Sequence, residues 1–103
     1  MLTVNLTYIP GKDFEALGIV KGNIVRAESV RKDIFSTMSR LSKGEIPGYT
    51  EMLHEARQTA TKRMVSEAEN INADAIINVK YETAGVADGV VEVLAYGTAV
   101  RFR

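Results

Sequence analysis

Glu51, His54 and Glu55 stand within about one turn of a segment with helical periodicity, so a carboxylate and an imidazole three residues apart could share a divalent metal ion. The chain has one histidine and no cysteine, which leaves this trio as its only candidate for such chemistry. A hydrolytic zinc site takes three protein ligands, and a dimetal bundle needs carboxylates from several helices. One copy is therefore short of donors. Either symmetry gathers copies of His54 from several subunits, or the trio is the solvated face of its helix. The same His54 and Glu55, with Asp33, are the candidate acid and base of an enzyme whose site is assembled between subunits.

The remaining charged pairs belong either to subunit interfaces or to an ordinary surface rim. Arg63 and Glu67, at i and i+4, project near the apolar stripe of the same helix, where a desolvated charge needs a partner. Arg31 and Asp33, with Arg57, could line a cleft between subunits, or act as a surface pair that fixes loop geometry. No serine lies in a Gly-x-Ser-x-Gly elbow. Gly85 to Gly89 lacks the Lys and Ser or Thr of a phosphate loop and leads into a strand.

The elements that must position these groups fit in one domain of 103 residues. Without cysteine there is no disulfide frame and no thiolate site. Thirteen Lys and Arg against 13 Asp and Glu give no basic excess, which argues against nucleic acid and against an anionic membrane surface as partners. The first residues resemble no export signal and no apolar run approaches a membrane span, so a cytoplasmic location is expected.

Leu2 to Tyr8 alternates apolar and polar residues as a half-buried strand would. Pro10-Gly11 turns the chain, and Phe14 to Ala27 reads as a strand bent or bulged at Lys21-Gly22-Asn23. Ser29 would cap a short second helix carrying Val30, Ile34, Met38 and Leu41, ended by Lys43-Gly44. A long helix is expected from Pro47 to Ile71, with Tyr49, Met52, Leu53, Ala56, Ala60, Met64 and Ile71 on one face and Asn72 as a left-handed cap. Strands follow at Ala75 to Tyr81 and Val90 to Phe102, joined at Asp88-Gly89. The fold expected is α+β: a small antiparallel sheet carrying the long helix, a second short helix, and a β-α-β-β core. The last strand has small groups at Val91, Val93, Ala95, Gly97 and Ala99 to receive the helix, and an equally apolar second face at Leu94, Tyr96, Val100 and Phe102. A strand apolar on both faces needs cover on both, from the short helix of the same chain or from a second subunit, and with four strands to two helices a homo-oligomer is expected.

Gly18-Ile19-Val20-Lys21-Gly22, Arg31 to Phe35, Gly48-Tyr49 opening a helix with Glu55-Ala56-Arg57, Ala73-Asp74-Ala75 and Gly97-Thr98-Ala99-Val100 occur in an order that resembles the YbjQ-like family of "putative heavy-metal-binding" proteins. The resemblance covers nearly the whole chain. It implies a β-α-β-β unit related to dodecin subunits, assembled as a ring, a pentamer, and implies little about activity. Together with the two-sided apolar strand it favours a non-enzymatic assembly that binds a metal or small ligand at subunit boundaries. A module that presents its ring to another protein is the alternative. The chain departs from the family pattern at Asn72, where glycine is usual, and at Arg26 and Lys80, which add positive charge where a cation site would want none.

Overall fold

A computed structural model describes residues 1–27 and 47–103. The expected short helix from Ser29 to Lys43, with Arg31 and Asp33, lies outside the described residues. The elements are β1 (Leu2–Thr3), β2 (Phe14–Ala27), α1 (Pro47–Asn70), β3 (Ala75–Ala87) and β4 (Val90–Phe102). They form a four-stranded sheet in the order β1-β3-β4-β2 with α1 on one face, so the β-α-β-β core is present as β2-α1-β3-β4. The sheet is mixed rather than antiparallel, because β1 runs parallel to β3 in the register Leu2↔Ala75.

The expected strand from Leu2 to Tyr8 shrinks to two residues, and the reason lies in its partner. Asn78 takes a left-handed φ of 53°, and together with Val79 it stands opposite the single residue Gly97, since the β3–β4 register jumps between Ile77↔Thr98 and Lys80↔Tyr96. This bulge breaks the ladder. The N-terminal segment follows it with irregular bonds: Val4 N–H to Ile76 O at 3.0 Å, Val79 N–H to Val4 O at 3.0 Å, and Asn78 N–H to Leu6 O at 2.7 Å. Gly97 makes room for this bulge of β3, because a Cβ there would sit 2.8 Å from Ile76 Cγ2 and 2.9 Å from Ile77 O. At Ile9-Pro10-Gly11-Lys12 the expected turn closes with Lys12 N–H donating to Ile9 O at 3.1 Å.

Helix α1 ends as its sequence demands. Asn72 has φ 58°, its N–H donates to Glu69 O, and the Ala73 N–H reaches back to Ala68 O, both at 3.0 Å. These two bonds of a left-handed cap satisfy carbonyls that the last turn would otherwise leave open. Arg101 on β4 adds a cation at the same end, donating to Ile71 O at 3.1 Å and ion-pairing with Glu15 at 3.6 Å.

The bulge in β2 is not at Lys21-Gly22-Asn23. The β2–β4 register runs unbroken there and shifts between Ala16 and Gly18, where Gly18 has φ 129°. Gly22 serves a different need. A Cβ on it would overlap the Ala60 carbonyl and the Met64 amide of α1 and lie 2.7 Å from Arg63 Cβ. The helix thus rests directly on the strand. Ala56, Ala60, Met64 and Ala68 are fully enclosed, facing Val20, Val93, Ala95 and Ala99, as the small-residue face of β4 led one to expect. Ile71 is the exception on the expected face, being 40% exposed beyond the last helical turn.

Among the described residues, the other face of the sheet is covered at one end only. Ile9, Ala75, Ile77 and Val100 form a second small cluster, with Val4, Phe14 and Phe102 against it. The cover over Val100 and Phe102 is the irregular N-terminal segment of the same chain. Val100 is completely enclosed and has no surface to offer a neighbour.

Arg63 and Glu67 turn to the sheet edge rather than to each other. The Lys21 N–H donates to Glu67 Oε1 at 3.2 Å, and Arg63 Nη1 donates to Asn23 O at 2.8 Å. Lys21 and Asn23 have the same parity on β2, which is the outermost strand, so these are backbone groups directed away from β4. Two helix side chains therefore cap the open edge of β2, one of the known ways to keep an edge strand from recruiting another.

Two outcomes test this packing. Gly22→Ala should cost at least about 2 kcal/mol in urea denaturation, since its clash is with backbone, while Gly85→Ala, with open space around it, should stay within about 1 kcal/mol of the parent. Replacing both Arg63 and Glu67 by Ala should accelerate amide exchange at Lys21 and promote association at high concentration. Unchanged exchange there would remove the capping role.

Candidate functional site

Two surfaces lie outside the core. The first is the uncovered part of the sheet. Register places Lys21-Tyr96-Lys80, Asn23-Leu94-Glu82 and Val25-Glu92-Ala84 in successive rows across β2, β4 and β3, on the face away from α1, with Ile19 and Thr98 next to them before the buried Ile77. Ile19 is 76% and Val25 57% exposed, while Leu94 and Tyr96 are half-buried among their neighbours. Charged groups stitch the rows: Tyr96 Oη donates to Glu82 Oε1 at 3.3 Å, and Asn23 Nδ2 to Glu92 Oε2 at 3.1 Å. Beyond this face, β3 from Lys80 to Ala87 is exposed at every residue.

The Tyr96 phenol is held above the usual tyrosine value, first by desolvation among its sheet neighbours and then by the Glu82 carboxylate, which opposes a second negative charge and accepts its proton in a hydrogen bond. Lys21 and Lys80 flank it in the same row.

The second surface is an open groove of about 460 Å³ lined by His54, Arg57, Gln58, Thr61 and Lys62 of α1 and by Tyr81 of β3. The spacing 54, 57, 58, 61, 62 is one stripe of a helix. Thr61 Oγ1 donates to Arg57 O at 2.7 Å. Its single hydrogen is then spent, so in the 2.7 Å contact with Tyr81 Oη the tyrosine is the donor. That bond pins the ring of Tyr81 to the helix.

The residues singled out in the sequence are dispersed. Glu51, His54 and Glu55 are all exposed on α1, but only His54 lines the groove. Glu55 pairs with Arg26 of β2 at 3.5 Å. Among the described residues no three His, Cys, Asp or Glu side chains come together as a metal site. The one histidine shares its groove with Arg57 and Lys62 and with no carboxylate, surroundings that repel a cation. The described part of a single chain does not fit a heavy metal. Tyr49 is half-buried near the start of α1, Arg57 belongs to the groove, and Arg63 and Glu67 are the edge caps. Tyr81, Thr61 and Lys62 were not singled out. The cationic stripe was legible at helical spacing, whereas the tyrosine that walls it comes from a strand 20 residues past Thr61.

Because the folded Tyr96 holds its proton more tightly than the unfolded chain does, its contribution to stability is whole below about pH 10 and is lost as pH rises through the folded value. Absorbance titration should show a tyrosine ionising above the ordinary tyrosine range, and Glu82→Gln should bring it earlier. Tyr96→Phe should lose less stability than the parent above pH 10.

Comparison with known proteins matches this chain over residues 1–103 to the YbjQ family model described as "putative heavy-metal-binding". A UPF0145 protein of Clostridium novyi is 45% identical over 101 residues, covering 98% of each chain, and one of Alkaliphilus metalliredigens is 47% identical over 102 residues, covering 99% of each. A UPF0145 protein of Archaeoglobus fulgidus is 51% identical over 89 residues, 86% of this chain and 82% of its own. The fold is similar to the crystal structure of a Pediococcus pentosaceus protein of unknown function from the DUF74 family, with TM-score 0.64, 16% identity and coverage of 100% of this chain and 98% of that one. The family model spans the whole chain and these relatives match it over most or nearly all of its length, so the chain belongs to the YbjQ, or UPF0145, family.

Proposed function

We propose that this protein is a non-enzymatic subunit of a homo-oligomer, closed as a ring of five as the family resemblance implies, in which copies meet through the uncovered sheet face and the outer half of the β3–β4 hairpin. The observation that carries it is the hairpin. Lys80 to Ala87 has neither face buried, and on its outer side it has no strand, because β1 accompanies β3 only as far as Ala75 and Ile76. Tyr81 and Val86 on this arm are 46% and 56% exposed, and Ile19 and Val25 on the neighbouring face still more. A monomer gains nothing from such an arm, whereas a second copy would bury it. The molecule is long for its size, with extents of 55 × 23 × 17 Å, which multiplies the surface left for neighbours.

The edge caps favour a closed assembly. With β2 blocked at Lys21 and Asn23, copies are steered away from continuing one another's sheet through that edge and toward packing of faces and arms. A small ligand or metal at the subunit boundaries fits this arrangement only if donors come from more than one copy, since no trio of donors exists among the described residues of one.

Light scattering on the eluted protein should give a multiple of 11.3 kDa, five copies in the proposed ring. Val86→Asp should shift the mass toward the monomer while leaving helical content unchanged. A parent protein that stays monomeric at high concentration would overturn the assembly. Elemental analysis of the purified oligomer decides the metal separately: fewer than about one bound divalent ion per ring would exclude it.

A further inference from the structure

The groove between α1 and β3 carries chemistry opposite to that of a cation site. We infer that it binds a small phosphate-bearing metabolite, with the phosphoryl group held by Arg57 and Lys62 and the organic part resting on Tyr81.

Charge is the first reason. The chain as a whole is balanced, 13 cations against 13 carboxylates, yet the groove lining holds Arg57, Lys62 and His54 and no acid. The carboxylate nearest in sequence to His54, Glu55, is committed to Arg26. Two fixed positive charges match a phosphate monoester, which carries between one and a half and two negative charges near neutrality.

Unspent donors are the second reason. Arg26, Arg63 and Arg101 each have a carboxylate or carbonyl partner. Among the described residues Arg57 and Lys62 have none. At 100° per residue they lie about 140° apart around α1, one on each side of the stripe formed by Thr61, His54 and Gln58. They bracket the groove like two jaws, and the Gln58 amide between them is a further donor.

The wall is the third. Thr61 and Tyr81 satisfy each other, so the phenol donates inward to the helix and presents its ring as a fixed apolar surface. A volume of about 460 Å³ exceeds what a bare oxyanion needs and lies within the range of small-molecule sites. Every lining residue comes from one chain, so the site is complete without the proposed assembly, which it adjoins at Tyr81.

The test uses the full-length protein. His54 is the only histidine, so its ring signals report on the groove without ambiguity. Titration with a nucleoside monophosphate should move the His54 and Gln58 side-chain resonances to saturation, and the matching nucleoside without phosphate should not. Arg57→Ala and Lys62→Ala, both at exposed positions, should each weaken binding at least tenfold, as loss of a charge-assisted hydrogen bond does. Rising salt should weaken it further. Absence of a saturable shift, equal binding of the nucleoside, or undiminished affinity in both variants would each overturn the proposal. So would zinc chloride titrating His54 stoichiometrically when the monophosphate does not.

Discussion

The contact on which the rest depends is the one between a backbone and a backbone: α1 lies on β2 at Gly22, with no side chain between the strand and the turn from Ala60 to Met64. At that distance the row of Ala56, Ala60 and Ala68 can seat against Val93, Ala95 and Ala99, and close packing replaces bulk as the source of stability. The same proximity brings Arg63 and Glu67 within reach of the β2 edge. Were the helix raised by the thickness of a methyl group, the edge caps and the Arg26–Glu55 pair would lengthen together. Core, edge protection and groove wall are therefore one construction.

That construction leaves the sheet asymmetric. The helix sits toward β2, so β3 loses its cover beyond Val79 and continues as a strand paired on one side only. Local sequence rules tolerate this, because the two-residue turn at Asp88-Gly89 joins the two strands directly, with one register shift between Gly85 and Ala87. The cation-rich stripe of α1 faces this uncovered strand, and Tyr81 crosses the gap. The geometry explains why a label of metal binding sits poorly with the described residues: the histidine that would have to serve is placed among positive charges.

Much of the fold was legible. The long helix, its Asn72 cap, the small-residue face of β4 and the turn at Pro10-Gly11 follow from periodicity and from residues with narrow conformational preferences. Three features were not. The alternation of Leu2 to Tyr8 is genuine, but a bulge at Asn78, more than seventy residues away, decides whether it becomes a strand. Gly22 looked like a break because a glycine in a strand can mean either a bulge or a close neighbour, and only the third dimension distinguishes them. Arg63 and Glu67 carried the correct sign of an edge position, yet their spacing suggested a mutual pair, since backbone acceptors on another element leave no mark in the sequence. Of the site, the helical stripe could be read and its partner strand could not.

The two caps on β2 have a consequence for growth. A sheet lengthens without limit only when each added copy offers a fresh docking strand at the far side, and here that far side is occupied by the chain's own guanidinium and carboxylate. Such an edge offers no ready template at Lys21 and Asn23, and indefinite head-to-tail growth of the sheet through β2 is disfavoured.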